Sequence, residues 1–454
     1  MSTDVTESHA GANRPTLTTS RGFFAAAVVF AVVGYAVILW YGWSLTRLDI
    51  ISAIVALGAL TYSFWLPDSE RLIVETAAKR DEMISQFAVF VAFLAFYAIT
   101  AGSDASPFNA HVRQAFAFIH GHTYIDAPNY IEHAQLGRYS YQLHPILPAL
   151  LLMPFAAIWG MDTNQTIFSI VFGALDVALA WRLLGRLRLT VNARTWLTVF
   201  FGAGTIVWYE TIHGTSWGVS MVVAIAMTLL ALDETFGKAR PAIIGTFAAL
   251  AALARYDLAF VWPIYLALLY LRGARRIREL AWFIPGCAAV ALAYITFNEI
   301  RYQSLFDRGV FVFAPPGSHL FGWEHFPGNF YTLFFMTTRL DDTFPYIHPT
   351  FGGQALILTS PAFILALRPS FRRIQTALVG VAALIAMTPS LFYFTNGFAQ
   401  YGTRHYLHTF PFLLLLMAFG VHRRADQLTR ILIVVSVLMI AFGVWHERFY
   451  GLNA

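Results

Sequence analysis

Charged residues are scarce in this chain: they make up 12% of its 454 residues, whereas 58% are hydrophobic. A soluble domain carries about a quarter charged residues, so the composition excludes an ordinary soluble domain and predicts an integral membrane protein. The formal net charge is only +5. Because the basic residues lie in short loops between apolar runs, we predict a lipid bilayer as partner and no nucleic acid.

Cysteine is nearly absent as well, since Cys287 is the single one. This excludes an intramolecular disulfide and a cysteine-based metal site. The chain also lacks a P-loop, a glycine-rich dinucleotide fingerprint and a Gly-x-Ser-x-Gly elbow. His111, His120 and His122 do not have the i, i+4 spacing that favours ligands on one helix face. We therefore predict no metal ligand and no defined cofactor.

Apolar runs near membrane length are abundant instead. They predict an all-α integral membrane protein with about thirteen transmembrane helices, in a tilted bundle with some broken helices. The runs lie at residues 22–41, 48–66, 84–101, 164–182, 195–210, 215–233, 241–254, 258–272, 279–297, 352–367, 374–394, 406–421 and 428–446.

Basic residues give this bundle a predicted orientation. Clusters of arginine and lysine follow every second run, so strict alternation places all of them on one side of the membrane. The positive-inside rule makes that side cytoplasmic. Two long outer loops, at residues 102–163 and 298–351, then lie on the opposite side. The clusters begin at Arg71, Arg182, Lys238, Arg272, Arg368 and Arg423.

The apolar segment at 143–160 is long enough to suggest a further crossing. If it crossed, the arginine-rich loop at 182–194 and every later cluster would face outward. We therefore predict a juxtamembrane or re-entrant helix on the outer face, broken by Pro145, Pro148 and Pro154.

An isolated carboxylate, Asp104, opens the first outer loop directly after a hydrophobic run. Such a residue commonly just marks the membrane boundary. The loop that follows is polar and aromatic, however, and includes Tyr124, Glu132 and His144. A crevice of this kind can bind a sugar, whose hydroxyls need acceptors and whose C–H faces stack on rings. Asp104 is therefore our candidate catalytic base, since glycosyl transfer to a hydroxyl requires a proton acceptor.

Several outward arginines break the positive-inside pattern. Arg255, Arg301 and Arg404 each lie at an outer membrane boundary, and His405 follows the last of them. An arginine suits a phosphate because its planar fork donates two parallel hydrogen bonds and stays charged. The alternative is that these residues reach lipid headgroups or pair with nearby acids. Those acids are Asp257, Glu299, Asp307 and Asp341.

Short motifs, each weak alone, occur in a characteristic order. They lie at residues 103–107, 121–124, 137–139, 144–145, 298–302, 359–361 and 401–406. In order and spacing they resemble the bacterial polytopic glycosyltransferases of the GT-C fold, in the branch related to protein O-mannosyltransferases and to lipid A or core-oligosaccharide sugar transferases. The resemblance covers residues 84–421, which would form the GT-C-like catalytic membrane domain.

The resemblance implies a sugar donor on a polyprenyl phosphate, an active site facing the periplasm of the bacterial inner membrane, and Asp104 as base. It also implies juxtamembrane helices in the first outer loop. Around this domain we expect a disordered cytoplasmic tail at 1–20, two additional transmembrane helices within 21–83, and a last helix with a short tail at 422–454. Asp104 is followed by Ala105 instead of a second acid, which does not favour a divalent metal.

The predicted function is transfer of a sugar from a lipid-linked donor to a glycolipid, glycan or protein hydroxyl on the outer face. Arg404 and Arg301 would hold the donor phosphate, and Arg255 and His405 would assist. His144, Tyr124 and Glu132 would contribute to substrate binding. The alternative is a transporter or lipid flippase without chemistry, since Asp176 lies inside an apolar run, where ionisable residues are usually functional.

Overall fold

The structure is a computed structural model that describes residues 79–102, 105–125, 133–274, 276–309, 317, 319–397, 399–421 and 425–451. The tail at 1–20, the apolar runs at 22–41 and 48–66, Asp104 and Glu132 lie outside the described residues. Predictions for them stay predictions.

Helices make up most of the described chain. The α-helices are α1 (Lys79–Thr100), α2 (Ala110–Ile119), α3 (Leu147–Trp159), α4 (Gln165–Arg186), α5 (Val191–Ala203), α6 (Ile206–His213), α7 (Ser216–Phe236), α8 (Pro241–Ala254), α9 (Trp262–Leu271), α10 (Ile277–Ala281), α11 (Phe283–Tyr302), α12 (Phe326–Phe334), α13 (Leu356–Thr359), α14 (Ile374–Leu391), α15 (Phe410–Gly420) and α16 (Gln427–Tyr450). Segments of 3-10 helix cover Gly160–Asp162, Tyr256–Val261, Trp323–His325, Pro361–Leu367 and Arg404–Thr409. Two antiparallel hairpins pair β1 (His133–Leu136) with β2 (Tyr139–Gln142) and β3 (Arg339–Leu340) with β4 (Ile347–His348).

Within the described residues, six helical segments are long and apolar enough to cross a membrane, by length and composition. They are α1, α4, α7, the continuous pair α10 and α11, α14 and α16. The chain is thus a helical membrane protein, as its composition predicts. The count of about thirteen spans expected from the apolar runs is not established, because the other described runs form shorter or interrupted helices.

The interruptions have local causes. The run at 195–210 is divided between α5 and α6, where Thr205 caps the second helix by accepting a hydrogen bond from the backbone N–H of Val207 (3.2 Å). Elsewhere Pro263, Pro361 and Pro411 occupy the first or second position of a new helical segment. Proline lacks the N–H that would continue a preceding helix, so it favours a new start at these points.

Two helices form the centre of the bundle. α7 is buried along 89% of its apolar segment and α4 along 72%, whereas α1 and the pair α10 and α11 are each buried along only 11%. The central helices therefore carry the core, and the outer ones present apolar side chains to the surroundings.

One end of the bundle is called here the arginine-rich end. It contains Arg186 at the end of α4, Arg194 near the start of α5 and Arg272 after α9. Asp233 on α7 pairs with Arg186 on α4 at 2.9 Å, and Arg194 on α5 pairs with Glu82 on α1. Arg272 donates to the carbonyl oxygen of Phe236 (3.0 Å). These contacts bring the ends of five helices together, on the side to which strict alternation assigns them.

The opposite end, called here the loop end, contains the ends of α1 and α11 and the starts of α4 and α7. α3 begins and ends there. The His144 ring before it lies 5.5 Å from His111, whose Nε2 is 2.8 Å from the carbonyl oxygen of Ser216 at the start of α7. After α3, Asn164 caps α4. With 13 residues, α3 is about 20 Å long. Its position along the membrane surface stays a prediction.

The expectation that prolines break this helix needs a correction. Pro148 lies at the helix start, but Pro154 lies inside the continuous helix Leu147–Trp159. Pro154 is the eighth of the 13 residues, so the helix continues past it without the hydrogen bond that an N–H at this position would donate to the Leu150 carbonyl oxygen.

Candidate functional site

The segment that follows Asp104 is fastened to the loop end of the bundle. The backbone N–H of Ser106 donates to Thr166 Oγ1 on α4 (3.2 Å). The carbonyl oxygen of Phe108 accepts hydrogen bonds from Ser216 Oγ on α7 (2.7 Å) and from Gln165 Nε2 on α4 (3.0 Å). The first outer loop therefore returns directly onto the starts of the two central helices.

Trp217 on α7 connects this segment to a predicted phosphate-binding residue. Its ring lies 4.8 Å from the ring of Phe108 and 4.4 Å from the guanidinium carbon of Arg404. Arg404 starts the 3-10 segment Arg404–Thr409 and is only 6% exposed. An arginine packed over a tryptophan face is held by cation–π attraction, so its planar fork has a fixed orientation.

Arg255, at the end of α8, belongs to a buried charge cluster. Its Nη2 lies 3.1 Å from Asp257 Oδ2, and that oxygen lies 3.3 Å from Nε2 of His408. Burial of Asp257 opposes ionisation, but electrostatic interactions with Arg255 and then His408, together with hydrogen bonds, outweigh it and lower the pKa of Asp257. Asp257 is therefore a carboxylate that orients Arg255. The ion-pair alternative from the sequence is realised here.

His405 lies beside Arg404 and near Arg255. Its ring is 5.9 Å from the Tyr393 ring, and its carbonyl oxygen accepts a hydrogen bond from Ser390 Oγ (3.2 Å). Burial, and then the charges of Arg404 and Arg255, lower the pKa of His405 well below its ordinary value. A neutral imidazole can hydrogen bond to a ligand, but it adds no positive charge for a phosphate.

Arg301, near the end of α11, is the most enclosed of the predicted residues, since its side chain has no exposed surface. Its Nη2 donates to the carbonyl oxygen of Gln142 on β2 (3.2 Å), and its Nη1 lies 4.0 Å from Asp307 Oδ2. The rings of Tyr302 and Tyr141 lie 4.4 Å and 5.3 Å from its guanidinium carbon. Among the described residues, its Nε and Nη1 have no hydrogen-bond partner.

Tyr256 joins the two arginine groups. Its hydroxyl donates to Asp307 Oδ2 (3.0 Å), the carboxylate nearest Arg301. Its neighbour in the chain, Asp257, makes the contacts with Arg255 and His408 described above. The connection between α8 and α9 thus contacts both groups, so Arg255, Arg301 and the 3-10 segment Arg404–Thr409 belong to one continuous region.

Tyr124 and His144 lie on the first outer loop, at the margin of this region. Tyr124 starts a row of rings: it lies 4.5 Å from Tyr139, which lies 6.4 Å from Tyr141 beside Arg301. His144 contacts His111 near the start of α7. The structure therefore gathers six of the predicted site residues around the loop end; Asp104 and Glu132 lie outside the described residues.

Three residues of this region were missed as site residues by sequence reasoning: Trp217, Tyr256 and His408. The signal for His408 was present, because His405 and His408 are one helical turn apart and share a face. Trp217 stands at the outer start of an apolar run, where tryptophan usually reads as an interface residue. Only the packing shows its contact with Arg404.

Acidic and histidine side chains elsewhere offer little for a metal. Among the described residues, no group of three or more His, Cys, Asp or Glu side chains is placed to hold a metal ion. Asp176, the residue behind the transporter alternative, is fully buried on α4, and its two carboxylate oxygens have no hydrogen-bond partner among the described residues.

Comparison with known proteins gives no relative from which a function could be transferred. No protein-family model, no curated protein and no solved structure matches the chain. The resemblance to GT-C glycosyltransferases therefore stays a prediction, and the function has to be argued from the region around Trp217.

Proposed function

We propose that the chain is a membrane glycosyltransferase that moves a sugar from a polyprenyl-phosphate-linked donor to an acceptor hydroxyl at the loop end. One observation carries the proposal: Trp217 contacts both Phe108, four residues after Asp104, and Arg404. A base and a phosphate-binding cation must lie close together for this reaction, and Trp217 joins the proposed phosphate-binding Arg404 to the segment that follows the proposed base.

In the proposed reaction, Asp104 takes the proton of the acceptor hydroxyl. The acceptor oxygen then forms a bond to the anomeric carbon of the sugar, and the bond from that carbon to the donor phosphate oxygen breaks. Negative charge grows on the leaving phosphate, and Arg404 stabilises it. The products are the glycosylated acceptor and the polyprenyl phosphate.

Arg255 is the second cation assigned to the phosphate. Its Nη2 contacts Asp257 at 3.1 Å, whereas its Nε has no hydrogen-bond partner among the described residues. A guanidinium that is held by a carboxylate and keeps a further N–H unpaired among the described residues is pre-organised for an anion. Arg301 fits direct contact less well, because its enclosed side chain would first have to leave Gln142 or Asp307. It is assigned here to shaping the site.

The proposed side of the membrane is the extracytoplasmic face of a bacterial inner membrane. The support is the charge distribution: the clusters at Arg182, Arg186 and Arg194 lie at the arginine-rich end, together with Arg272. The positive-inside rule assigns that end to the cytoplasm. The loop end then faces outward, where polyprenyl-linked sugars and envelope acceptors would meet.

The test is an Asp104→Asn variant in a lipid-donor assay that measures release of polyprenyl phosphate. We expect transfer to be abolished while expression and membrane insertion are unchanged. Asp342→Asn, in the exposed part of the second outer loop, is the matched control and should retain activity. Transfer by Asp104→Asn at the parent rate would remove Asp104 from the mechanism.

The sugar and the acceptor can be identified in cells. Mass spectra of envelope glycolipids, glycans and glycoproteins from a strain with the gene and from a deletion strain should differ by a single sugar. Complementation with the parent chain should restore that sugar, and complementation with Asp104→Asn should not. Identical spectra in the two strains would count against a transferase.

A transporter or flippase remains the second candidate, because one observation favours it. The carboxyl group of Asp176 on α4 is fully buried and has no hydrogen-bond partner within the part of the chain that the structure describes. Buried ionisable groups inside membranes often mark transport paths. Asp176→Asn distinguishes the two proposals. It should leave sugar transfer unchanged if the chain is a transferase, and it should abolish substrate movement across vesicle membranes if the chain is a transporter.

A further inference from the structure

The short helix α12 in the second outer loop has an inverted pattern of polar and apolar side chains. Its buried face carries the polar residues Asn329 and Thr332 beside one apolar residue, Leu333. Its exposed face is aromatic, and Tyr331 there is 51% exposed. Trp323, just before the helix, is 77% exposed. The other exposed aromatic residues of this surface are Phe330, Phe334 and Phe335.

This pattern is the reverse of that of a helix on the surface of a soluble protein, which turns its apolar stripe inward and its polar face to water. A contiguous aromatic surface exposed to water is unfavourable, because burial of apolar area contributes about 25 cal/mol per Å². Exposed apolar patches of this kind usually mark a contact with another molecule or with a membrane.

The polar face of α12 is fixed to the end of a candidate membrane span. Nδ2 of Asn329 lies within hydrogen-bond distance of the carbonyl oxygens of Ser390 (3.2 Å), Leu391 (3.1 Å) and Tyr393 (2.7 Å). Carbonyl groups at a helix C-terminus have no partner within the helix. Asn329 therefore caps α14 from outside and holds α12 against its last turn.

The position of α14 in the membrane sets the depth of α12. α14 has 18 residues and is about 27 Å long, close to the thickness of the hydrocarbon core of about 30 Å. Its outer face is apolar: Leu384 is 64% exposed. Since α14 ends at Leu391, a helix fixed to that residue lies at the boundary between the hydrocarbon and the headgroups.

We infer that α12 lies in the membrane–water interface of the leaflet at the loop end, with its aromatic face in the lipid. Tyrosine, tryptophan and phenylalanine favour this depth, and α12 contains no charged residue. The second outer loop is therefore not wholly aqueous. A second copy of the chain is a poorer fit as occupant, because the surface is fixed to the end of α14, whose own exposed face is apolar.

The interface helix also has a consequence for the candidate site. Asn329, on its buried face, contacts the carbonyl oxygen of Tyr393, and the Tyr393 ring lies 5.9 Å from the His405 ring. A helix seated in the lipid thus fixes one wall of the region that contains His405 and Arg255. This position holds whether or not the chain is a glycosyltransferase.

Depth measurement by spin labelling tests the inference in the full-length chain, reconstituted in nanodiscs of phosphatidylethanolamine and phosphatidylglycerol. Cys287 is the single cysteine, so Cys287→Ser provides a cysteine-free parent. A spin label is placed at Tyr331→Cys and, in a second variant, at Phe335→Cys. Leu384→Cys on α14 is the lipid control, and Asp342→Cys in the loop is the aqueous control. Collision rates with oxygen, which partitions into lipid, and with a water-soluble nickel chelate are compared.

The expected result is an oxygen-to-nickel ratio at Tyr331→Cys and Phe335→Cys several-fold above that at Asp342→Cys and close to that at Leu384→Cys. A ratio equal to that at Asp342→Cys would show α12 in water and overturn the inference. Labels that are immobile and inaccessible to both reagents would show a protein surface covering α12, either a second copy or another chain, and would overturn it as well.

Discussion

The two ends of the bundle use arginine in different ways. At the arginine-rich end, Arg186 is paired with a carboxylate and its side chain keeps 39% of its surface in solvent; Arg240, paired with Glu234, keeps 52%. At the loop end, Arg301 has no exposed side-chain surface and Arg404 is packed on Trp217. Arg186 and Arg240 are thus partly hydrated, whereas Arg301 is enclosed by rings. Arg194 at the arginine-rich end is also buried, with its guanidinium carbon 3.9 Å from the Trp181 ring, but its N–H groups donate to Glu82 and to the Trp181 carbonyl oxygen.

This difference shows which arginines need an explanation beyond stability. An exposed ion pair contributes little to the free energy of unfolding, and an arginine in it is not costly to maintain, because water can replace either partner. A buried guanidinium group with unpaired N–H groups is costly to maintain. Arg255 and Arg301 have such groups, at Nε in both and at Nη1 in Arg301, within the described residues. We therefore propose a functional role for the arginines at the loop end. Those at the arginine-rich end are assigned to the orientation of the chain in the membrane.

The largest predicted effect is on stability, in Arg301→Met. This change leaves the carboxylate of Asp307, which is only 8% exposed, without its cation. Removing one partner of a buried pair costs about 3 kcal/mol or more. The measurement is the free energy of unfolding in mixed SDS and detergent micelles. Arg339→Met, which breaks the exposed pair with Asp341, is the control and should show no measurable change. Equal effects of the two variants would contradict the comparison between enclosed and hydrated arginines.

The next largest effect concerns activity, in Arg404→Met. Loss of one group that stabilises the developing charge typically lowers kcat by about 100-fold or more. We expect that loss in the lipid-donor assay, with an unchanged elution profile in size-exclusion chromatography. Arg240→Met at the arginine-rich end should leave transfer unchanged. If both variants transfer sugar as fast as the parent, Arg404 does not hold the phosphate.

A smaller effect is expected from Asp233→Asn at the arginine-rich end. Asp233 is buried and pairs with Arg182 (2.8 Å) and Arg186 (2.9 Å). Both arginines are partly exposed and can turn to water, so the expected loss is about 1 kcal/mol of unfolding free energy. Sugar transfer should not change. Strongly reduced transfer at intact stability would place function at this end too.

The smallest effect is a change in pH dependence in His405→Gln. In the folded chain the pKa of His405 lies well below its ordinary value of 6.5, because of burial, Arg404 and Arg255; Asp257 acts in the opposite direction. Below pH 6.5 the unfolded chain takes up a proton that folded His405 does not. The free energy of unfolding should therefore fall as the pH is lowered through that value. His405→Gln should weaken this fall. An identical pH profile in parent and variant would refute the assigned protonation state.

Much of the helical architecture was predictable from the sequence. The run at 241–254 coincides with α8 residue for residue, because a long apolar segment in a membrane has to satisfy its backbone within a helix. Charge alternation also placed Arg186 and Arg272 at one end. Helix breaks were less accessible: Pro361 and Pro411 were visible signals, but the cap at Thr205 depends on local backbone geometry.

The candidate site was predictable only in composition. The sequence identified Arg255, Arg301 and Arg404 as exceptions to the charge pattern, and it offered Asp257 and Asp307 as partners. It could not show that His408 contacts Asp257 or that Gln142 contacts Arg301, because these contacts join distant positions and depend on how the helices pack. The sequence also could not show which face of α12 is buried, because that depends on how the helix contacts the end of α14.

The most direct test of the central claim is photo-crosslinking with a polyprenyl phosphate that carries a diazirine next to the phosphate. The account predicts crosslinked peptides that contain residues 105–110, Trp217 and Arg404, with labelling that unlabelled polyprenyl phosphate suppresses. Crosslinks confined to the arginine-rich end, for example at 182–194, or labelling that the competitor does not suppress, would contradict it.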